Sequence, residues 1–302
     1  MKKILITGGT VFVSRYTAAY FAGRGFDVYV LNRNSRPQVP GVTLIEADRN
    51  HLGNCLKGHS FDAVLDITGY TAQDAEKLVT ALGDFQDYIF ISSSAVYPET
   101  TALPFHESAE TGPNCHWGAY GTGKLEAEQY LRKAVPQAYI LRPPYLYGPM
   151  QNLYREPFVF ECAERGYPFP IPGDGSMPLQ FFHVRDLCRF MELLLEQHPA
   201  QHIFNVGNPE TVTIHEWAQL CYDAVGAPLT TVSMGPEHPR WAYFPFRDYA
   251  YELDVTAQLS LMPDTTPLAD GLKESWAWFS AHKDQVTRKP YFEYLDRILS
   301  EM

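Results

Sequence analysis

A chain of 302 residues is long enough for one large α/β domain or a domain with a smaller companion, which excludes a miniature fold held by disulfides or metal. Its 45% hydrophobic and 20% charged residues are globular in character, and no apolar run approaches the roughly 18 to 20 residues that span a bilayer, so a soluble chain is expected. A formal charge of -11 speaks against broad contact with nucleic acid or anionic membrane, which draws on clustered Lys and Arg, while leaving room for a local basic pocket.

The opening Met1-Lys2-Lys3-Ile4-Leu5-Ile6-Thr7 has an apolar stretch that breaks at Gly8-Gly9, too short for a signal peptide and right for a buried strand over Lys3 to Thr7. Short apolar runs then alternate with helical periodicity, the sequence form of βαβ units and a parallel sheet. A helix is predicted over Arg15 to Gly23, and strands over Asp27 to Asn32, Val42 to Glu46, Ala63 to Ile67, Tyr88 to Ser92 and Ala138 to Leu141. After Arg142 eight prolines punctuate a stretch rich in Tyr and Phe, where a looser region is expected. The α/β pattern returns between Phe181 and Val206, with a helix through Leu187 to Leu194 and a strand at Ile203 to Val206. Helices near His215 to Ala224, Asp270 to His282 and Tyr291 to Glu301 complete a small C-terminal lobe. Cys55, Cys115, Cys162, Cys188 and Cys221 are scattered without a CxxC pair, so neither a disulfide framework nor a metal site is indicated and a reducing cytoplasm is the expected compartment.

Thr7-Gly8-Gly9-Thr10-Val11-Phe12-Val13-Ser14-Arg15 follows the first strand and opens a helix. Such a turn lets backbone N–H groups and the helix N-terminus face a pyrophosphate, or is an ordinary βα turn. Of the three glycines of the dinucleotide fingerprint only Gly8 is present, with Val11 and Ser14 at the other two positions. At the end of the second strand Asn32-Arg33 stands where an Asp is typical of NAD use; Arg33 reads as a partner for the 2′-phosphate of NADP or as a solvated surface arginine, which tilts the cofactor slightly toward NADP. Asp48 reads as an acceptor for an adenine amino group or as the cap of a helix beginning near His51.

The fifth strand runs into Ser92-Ser93-Ser94-Ala95-Val96-Tyr97, at the carboxyl edge where open α/β sheets bind ligands. Further on, Tyr120-Gly121-Thr122-Gly123-Lys124 starts a helix and puts Tyr120 and Lys124 on one face. A nearby ammonium lowers a phenol pKa from about 10 toward neutrality and makes Tyr120 a candidate acid/base, with the Ser93 hydroxyl placed to orient the reacting oxygen.

With these segments, and with Leu141-Arg142-Pro143-Pro144-Tyr145-Leu146-Tyr147-Gly148-Pro149, Phe181-Phe182-His183-Val184-Arg185-Asp186-Leu187 and Phe204-Asn205-Val206-Gly207, the chain resembles over almost its whole length the extended short-chain dehydrogenase/reductases, or NAD-dependent epimerase/dehydratase family. The resemblance implies a Rossmann-like doubly wound parallel sheet, over 1–148 with 180–207, that binds NAD or NADP, and a smaller C-terminal α/β substrate lobe over 149–179 with 208–302. It implies a sugar or nucleotide-sugar substrate, with epimerase chemistry first, simple reduction next and a homodimer among the assemblies. Ser93, Tyr120 and Lys124 are the catalytic set so implied. The cofactor side comprises Thr7, Gly8, Gly9, Thr10, Phe12, Val13, Asn32, Arg33, Asp48, Ser92, Tyr120, Lys124 and Pro143, and the substrate side Ser94, Tyr147, Gln180 and Arg247.

Three departures qualify what is implied. The 4,6-dehydratases of the family carry an Asp-Glu pair where this chain has Ser94-Ala95, so dehydration is disfavoured. A diphosphate-gripping Arg is replaced by Leu179, leaving Arg247, whose bland alternative is a surface pair with Asp248. The Gly-Gly-Thr start with Tyr-Gly-x-Gly-Lys is similar to a subgroup that includes chloroplast stem-loop RNA-binding proteins, which supplies alternatives without turnover: RNA binding, set against the charge of -11, or a cofactor sensor. The Tyr and Phe residues from Tyr145 to Phe182 read as a sugar-stacking wall or, more readily, as core packing, and His183 as a structural histidine.

Overall fold

The computed structural model describes residues 1–301. In chain order the elements are β1 (Lys3–Thr7), α1 (Phe12–Gly23), β2 (Asp27–Asn32), β3 (Val42–Glu46), β4 (Phe61–Asp66), α2 (Ala72–Ala81), β5 (Phe85–Ile91), α3 (Ala119–Ala134), β6 (Tyr139–Arg142), β7 (Tyr145–Tyr147), α4 (Glu156–Arg165), β8 (Phe169–Pro172), β9 (Pro178–Leu179), β10 (Phe181–His183), α5 (Val184–Gln197), β11 (Ile203–Asn205), β12 (Val212–Thr213), α6 (Ile214–Val225), β13 (Thr231–Met234), α7 (Thr256–Leu261), α8 (Leu268–Ala281) and α9 (Tyr291–Glu301). No described helix is long and apolar enough to cross a membrane.

Seven parallel strands form the central sheet in the order β11-β6-β5-β4-β1-β2-β3. The alternation of side chains along each strand decides which helices cover which face. Ile4, Ile6, Val28, Val30, Ala63, Leu65, Ile89 and Ile91 point into one apolar layer with Ala18 and Phe21 of α1 and Leu187 and Met191 of α5. Leu5, Leu31, Val64, Tyr88, Phe90 and Ile140 point into the other, with Leu78 of α2 and Leu131 of α3. Each fully buried aliphatic contributes about 1.5–3 kcal/mol, and because both faces are covered the strands read as continuous apolar runs rather than alternating ones. The winding direction reverses between β1 and β4, so their following loops part and open a crevice at the carboxyl edge.

β1, β2 and β3 fall on their predicted bounds, whereas β4 and β5 begin earlier because Phe61 and Phe85 pair in register. α1 begins at Phe12 rather than Arg15, straight out of the glycine turn. Unpredicted α2 had a local signal, since Thr71 and Asp74 form a reciprocal capping box. The proline-rich stretch is built of short pieces: α4 and the strands β7 to β10, of which β8 pairs with β13 despite Pro170 and Pro172.

A third apolar core lies beyond the two sheet layers, where Tyr147, Tyr154, Phe158, Phe160, Phe169 and Phe181 pack with Trp217 and Phe246. Most of the aromatic cluster is therefore core packing rather than a sugar wall. β7 and β10 pair in parallel as a ribbon between this core and one of the sheet layers. Tyr145, Tyr147 and Phe181 enter the aromatic core of the lobe, while Leu146 and Phe182 face the layer over the sheet.

Candidate active site

The turn after β1 requires its glycines. Gly8 has φ +94° and Gly9 φ +98°, and a Cβ would lie 2.7 Å from Ser14 Oγ at Gly8 and 2.7 Å from Val30 Cγ1 at Gly9. Ser14, at the third fingerprint position, folds its hydroxyl back onto the Val11 carbonyl at 2.9 Å. The N-cap residue Val11 offers no side-chain acceptor, so the first-turn N–H groups of α1 have no cap. Phe12 is held at φ +29°, a strained value for an aromatic residue, as the chain swings from turn to helix. An uncapped helix N-terminus at the sheet's switch point, with no room for side chains on the turn, fits an anionic group such as a dinucleotide pyrophosphate.

Several residues expected on the cofactor side hold this turn in place instead. The buried Thr7 hydroxyl donates to Asp66 Oδ1 at 2.9 Å and accepts the N–H groups of Ile67 and Thr68 at 2.9 and 3.0 Å. Burial pushes the Asp66 carboxyl up, but the Arg49 guanidinium and the hydrogen bonds from Arg49, Thr7 and Tyr88 outweigh it and hold its pKa below the usual range. Asn32 uses its whole amide internally, donating to the Gly8 carbonyl at 2.6 Å and to Gln38, and accepting from Asn34 N. Asp48 caps the short 3-10 turn Arg49–His51 through Asn50 N at 2.8 Å, the second of its two sequence readings. Thr7 and Asn32 thus spend their polar side-chain atoms within the protein, whereas Asp48 uses Oδ1 for its cap. Arg33 is exposed and near enough to Asp48 to help hold that carboxyl low. Thr10 lines a side cavity at the mouth of the turn with Arg15 and Arg36.

At the end of β5, Ser92 is buried and donates to the Glu128 carboxylate. Glu128 also holds Arg142 through two bonds, at 3.0 and 2.6 Å, and Arg142 donates to the Tyr97 hydroxyl at 2.8 Å. This buried network fixes the backbone that presents Ser93 and Ser94. Ser93 Oγ accepts from Ala95 N at 3.2 Å, and Ser94 lies beside the Tyr251 hydroxyl.

Tyr120 and Lys124, one turn apart on α3, line the same cleft as Ser93, Ser94, Val11, Phe12, Val13 and Pro143. Lys124 is buried, with Nζ donating to the carbonyls of Gly69 and Ile91 at 2.6 Å each and lying over the rings of Tyr70 and Phe90. Burial pulls its pKa down to about 8, against the pull of Asp66. Tyr120 is 38% exposed to the open cleft, so water still reaches its ring. The surrounding protein nevertheless raises the phenol pKa, while the Ser93 hydroxyl and the charge of Arg155 draw it down. Tuning of Tyr120 was expected from Lys124; the cation that draws it down in this structure is Arg155.

The cleft, about 600 Å³, opens into a second chamber of about 650 Å³, and Trp117, Tyr145, Leu153, Arg155 and Arg247 line both. Arg247 lies 5.1 Å over Trp117. Asp248 pairs with Arg240 at 2.8 Å rather than with Arg247, so the expected bland pair does not form. Lys289 joins the chamber, its ammonium disfavoured by burial and then by Arg155 and Arg247. Arg155, Lys289 and Arg49 carried no fixed spacing that sequence reading could use, whereas Trp117 stands close before Tyr120 in the chain.

Two expected substrate residues lie elsewhere. Gln180 is fully buried and clamps the backbone of Asn208 and Leu253. Tyr147 is fully buried and packs edge-on against Phe181 and His183. Both have the burial of core residues and line neither the cleft nor the chamber. His183 is buried and caps α5 through Arg185 N.

A model of the NAD dependent epimerase/dehydratase family matches residues 4–207. The chain is 30% identical to the chloroplast stem-loop binding protein of 41 kDa b of Arabidopsis thaliana, over 91% of this chain and 78% of that protein. It is 26% identical to a UDP-glucose 4-epimerase of Corynebacterium glutamicum, over 94% of this chain and 97% of that one. Its fold is similar to that of a dTDP-glucose 4,6-dehydratase from Bacillus anthracis in complex with NAD, with TM-score 0.77 and 15% identity over 95% of this chain and 99% of the other. A parallel sheet wound in both directions from β1, a glycine turn at its switch point and a family match over two thirds of the length agree, and the chain belongs to the NAD-dependent epimerase/dehydratase family.

Proposed function

We propose that the protein is an NAD-dependent enzyme that transfers hydride at a carbinol carbon of a nucleotide sugar, with epimerisation as the overall reaction. The observation that carries this reading is continuity: the cleft holding Ser93, Tyr120 and Lys124 runs from the glycine turn into a chamber with three cations that have no carboxylate partner among the described side chains. Residues 1–148 with 180–207 would serve the cofactor, and 149–179 with 208–302 the substrate. The relative from Corynebacterium glutamicum, named a UDP-glucose 4-epimerase, and the Bacillus anthracis complex with NAD support it.

The uncapped start of α1 and the backbone of Gly8 to Val13 fit the pyrophosphate of the dinucleotide, with Arg33 the cation available at the end of β2 for a 2′-phosphate. When bound, the nicotinamide supplies the hydride acceptor. Tyr120 takes the proton of the reacting hydroxyl at its phenolic oxygen and returns it when the carbonyl is reduced from the other face. Ser93 positions the reacting oxygen, and Lys124, at the floor of the cleft, would hold the nicotinamide ribose. Arg247 and Lys289 bind phosphate oxygens. Ser94 and Ala95 supply no carboxyl group for an elimination, which disfavours 4,6-dehydration relative to epimerisation or simple reduction.

The test is titration of NADH and NADPH by fluorescence, then turnover of UDP-glucose by wild-type and Tyr120→Phe protein. Failure of both cofactors to bind at millimolar concentration overturns the reading. The likeness to a stem-loop-binding protein favours a second reading, RNA binding on the same fold. Against it stand the net charge of -11 and the enclosure of the free cations in a chamber. A salt-dependent mobility shift with a stem-loop RNA separates the two.

A further inference from the structure

The chamber holds more positive charge than the diphosphate of a nucleotide sugar neutralises. Arg240 is matched by Asp248, while Arg155, Arg247 and Lys289 have no carboxylate partner among the described side chains. Their mutual repulsion is visible in Lys289, which burial, Arg155 and Arg247 all drive toward its neutral form. A diphosphate diester brings two negative charges, which leaves one cation over, and an oxidised nicotinamide adds positive charge nearby.

The surplus cation can be located. Lys289 lines the chamber but not the cleft, whereas Arg155 and Arg247 line both, at the throat between them; Arg247 lies over Trp117, and Arg155 is the one of the two that acts on Tyr120. The Arg155 guanidinium lies 5.0 Å over the Tyr145 ring and 5.8 Å over Phe246, so stacking fixes its plane and leaves its N–H edges for a ligand. Its charge reaches Tyr120. In a sugar that reacts across the ring from its phosphate linkage, a cation beside the reacting carbon is distinct from the cations that hold the diphosphate.

We propose that Arg155 selects a sugar carrying its own carboxylate beside the reacting carbon, so that the substrate is an acidic nucleotide sugar of the hexuronate type rather than a neutral one. This rests on the nucleotide-sugar reading above. The carboxylate accepts paired hydrogen bonds from the guanidinium fork and balances the cation that the diphosphate leaves over.

The experiment measures binding of UDP-glucuronate and UDP-glucose, which differ only in that carboxylate, to the NAD-loaded protein by calorimetry, followed by turnover of each. The expected result is roughly ten- to hundredfold tighter binding of the acidic sugar, the worth of a charge-assisted pair. In Arg155→Met the ratio falls to about one through loss of UDP-glucuronate affinity alone, and Arg155→Lys restores part of it. Equal affinity for the two ligands in wild type, or equal weakening of both in Arg155→Met, overturns the inference and leaves the nucleotide-sugar reading standing. Failure of both ligands to bind overturns the two together. A shift of the pH–rate profile in Arg155→Lys with no change in the ratio assigns Arg155 to Tyr120 alone and also overturns it.

Discussion

Arg49 grips Asp66 from both sides: Nη1 donates to Oδ1 and Nη2 to Oδ2, each at 2.7 Å, directly under the end of β1. Thr7 and Tyr88 donate to the same carboxylate at 2.9 Å. The pair joins the ends of β1 and β4, which diverge at the switch point, and so sets the floor on which the glycine turn stands.

Arg49→Met leaves the fully buried Asp66 carboxylate without its cation, and unfolding in urea is expected to show a loss of about 3–5 kcal/mol. Because the folded carboxyl has a lowered pKa, its stabilisation is present above the unfolded value near 3.9 and is lost as pH falls through the folded one. Wild type and Arg49→Met should therefore converge in stability only in strong acid. Equal stability of the two proteins at pH 7 contradicts this account.

Lys124 gives a slope of the same sign in an alkaline window. Its pKa falls from 10.5 unfolded to about 8 folded, so between those values the unfolded chain binds more protons and stability gains as pH rises. The stability of wild type relative to Lys124→Met should climb between pH 8 and pH 10 and be level below pH 7. Urea midpoints of both proteins at three pH values measure it.

Tyr120→Phe should lower turnover roughly 10²- to 10⁴-fold with NADH affinity and melting temperature nearly unchanged, as for a lost acid/base on a half-open side chain. A variant that binds NADH tenfold more weakly places the phenol in cofactor binding rather than in proton transfer.

Gly9→Ala places a Cβ 2.7 Å from Val30 and forces φ +98° on an L side chain. The expected cost is about 1–3 kcal/mol, together with weaker NADH binding as the turn shifts away from the start of α1. Calorimetric melting and fluorescence titration on one preparation test both effects.

Asp248→Asn frees Arg240 from its 2.8 Å partner and adds a fourth cation to the chamber. UDP should bind roughly two- to threefold tighter at low salt, with the gain vanishing at high salt because Asp248 is largely solvent-exposed.

Strands were legible in the sequence wherever burial on both faces leaves an unbroken apolar run, as at Ile4-Leu5-Ile6. The lobe was not, because its pieces are short and its core draws on aromatics from α4, α6, β10 and the 244–253 segment, brought together only by tertiary folding. Ser93, Tyr120 and Lys124 could be found because their order and spacing are local. Thr7, Asn32, Asp48, Gln180 and Tyr147 show the converse limit. A sequence displays a polar group but not whether the fold has already hydrogen-bonded or buried it, and for these five it has. Arg155 and Lys289 were invisible for a related reason: a cation becomes informative once it is known to lack a carboxylate.

The β7–β10 ribbon sends Tyr145, Tyr147 and Phe181 into one core and Leu146 and Phe182 into the other, so neither core can come apart without stripping the far side of the same two strands. Melting should therefore be a single cooperative transition, with calorimetric and van't Hoff enthalpies in agreement, even though the ribbon joins separate hydrophobic centres. Amide protons at Leu146 and Phe182 should exchange only through that global event, at the same rate as those of β1.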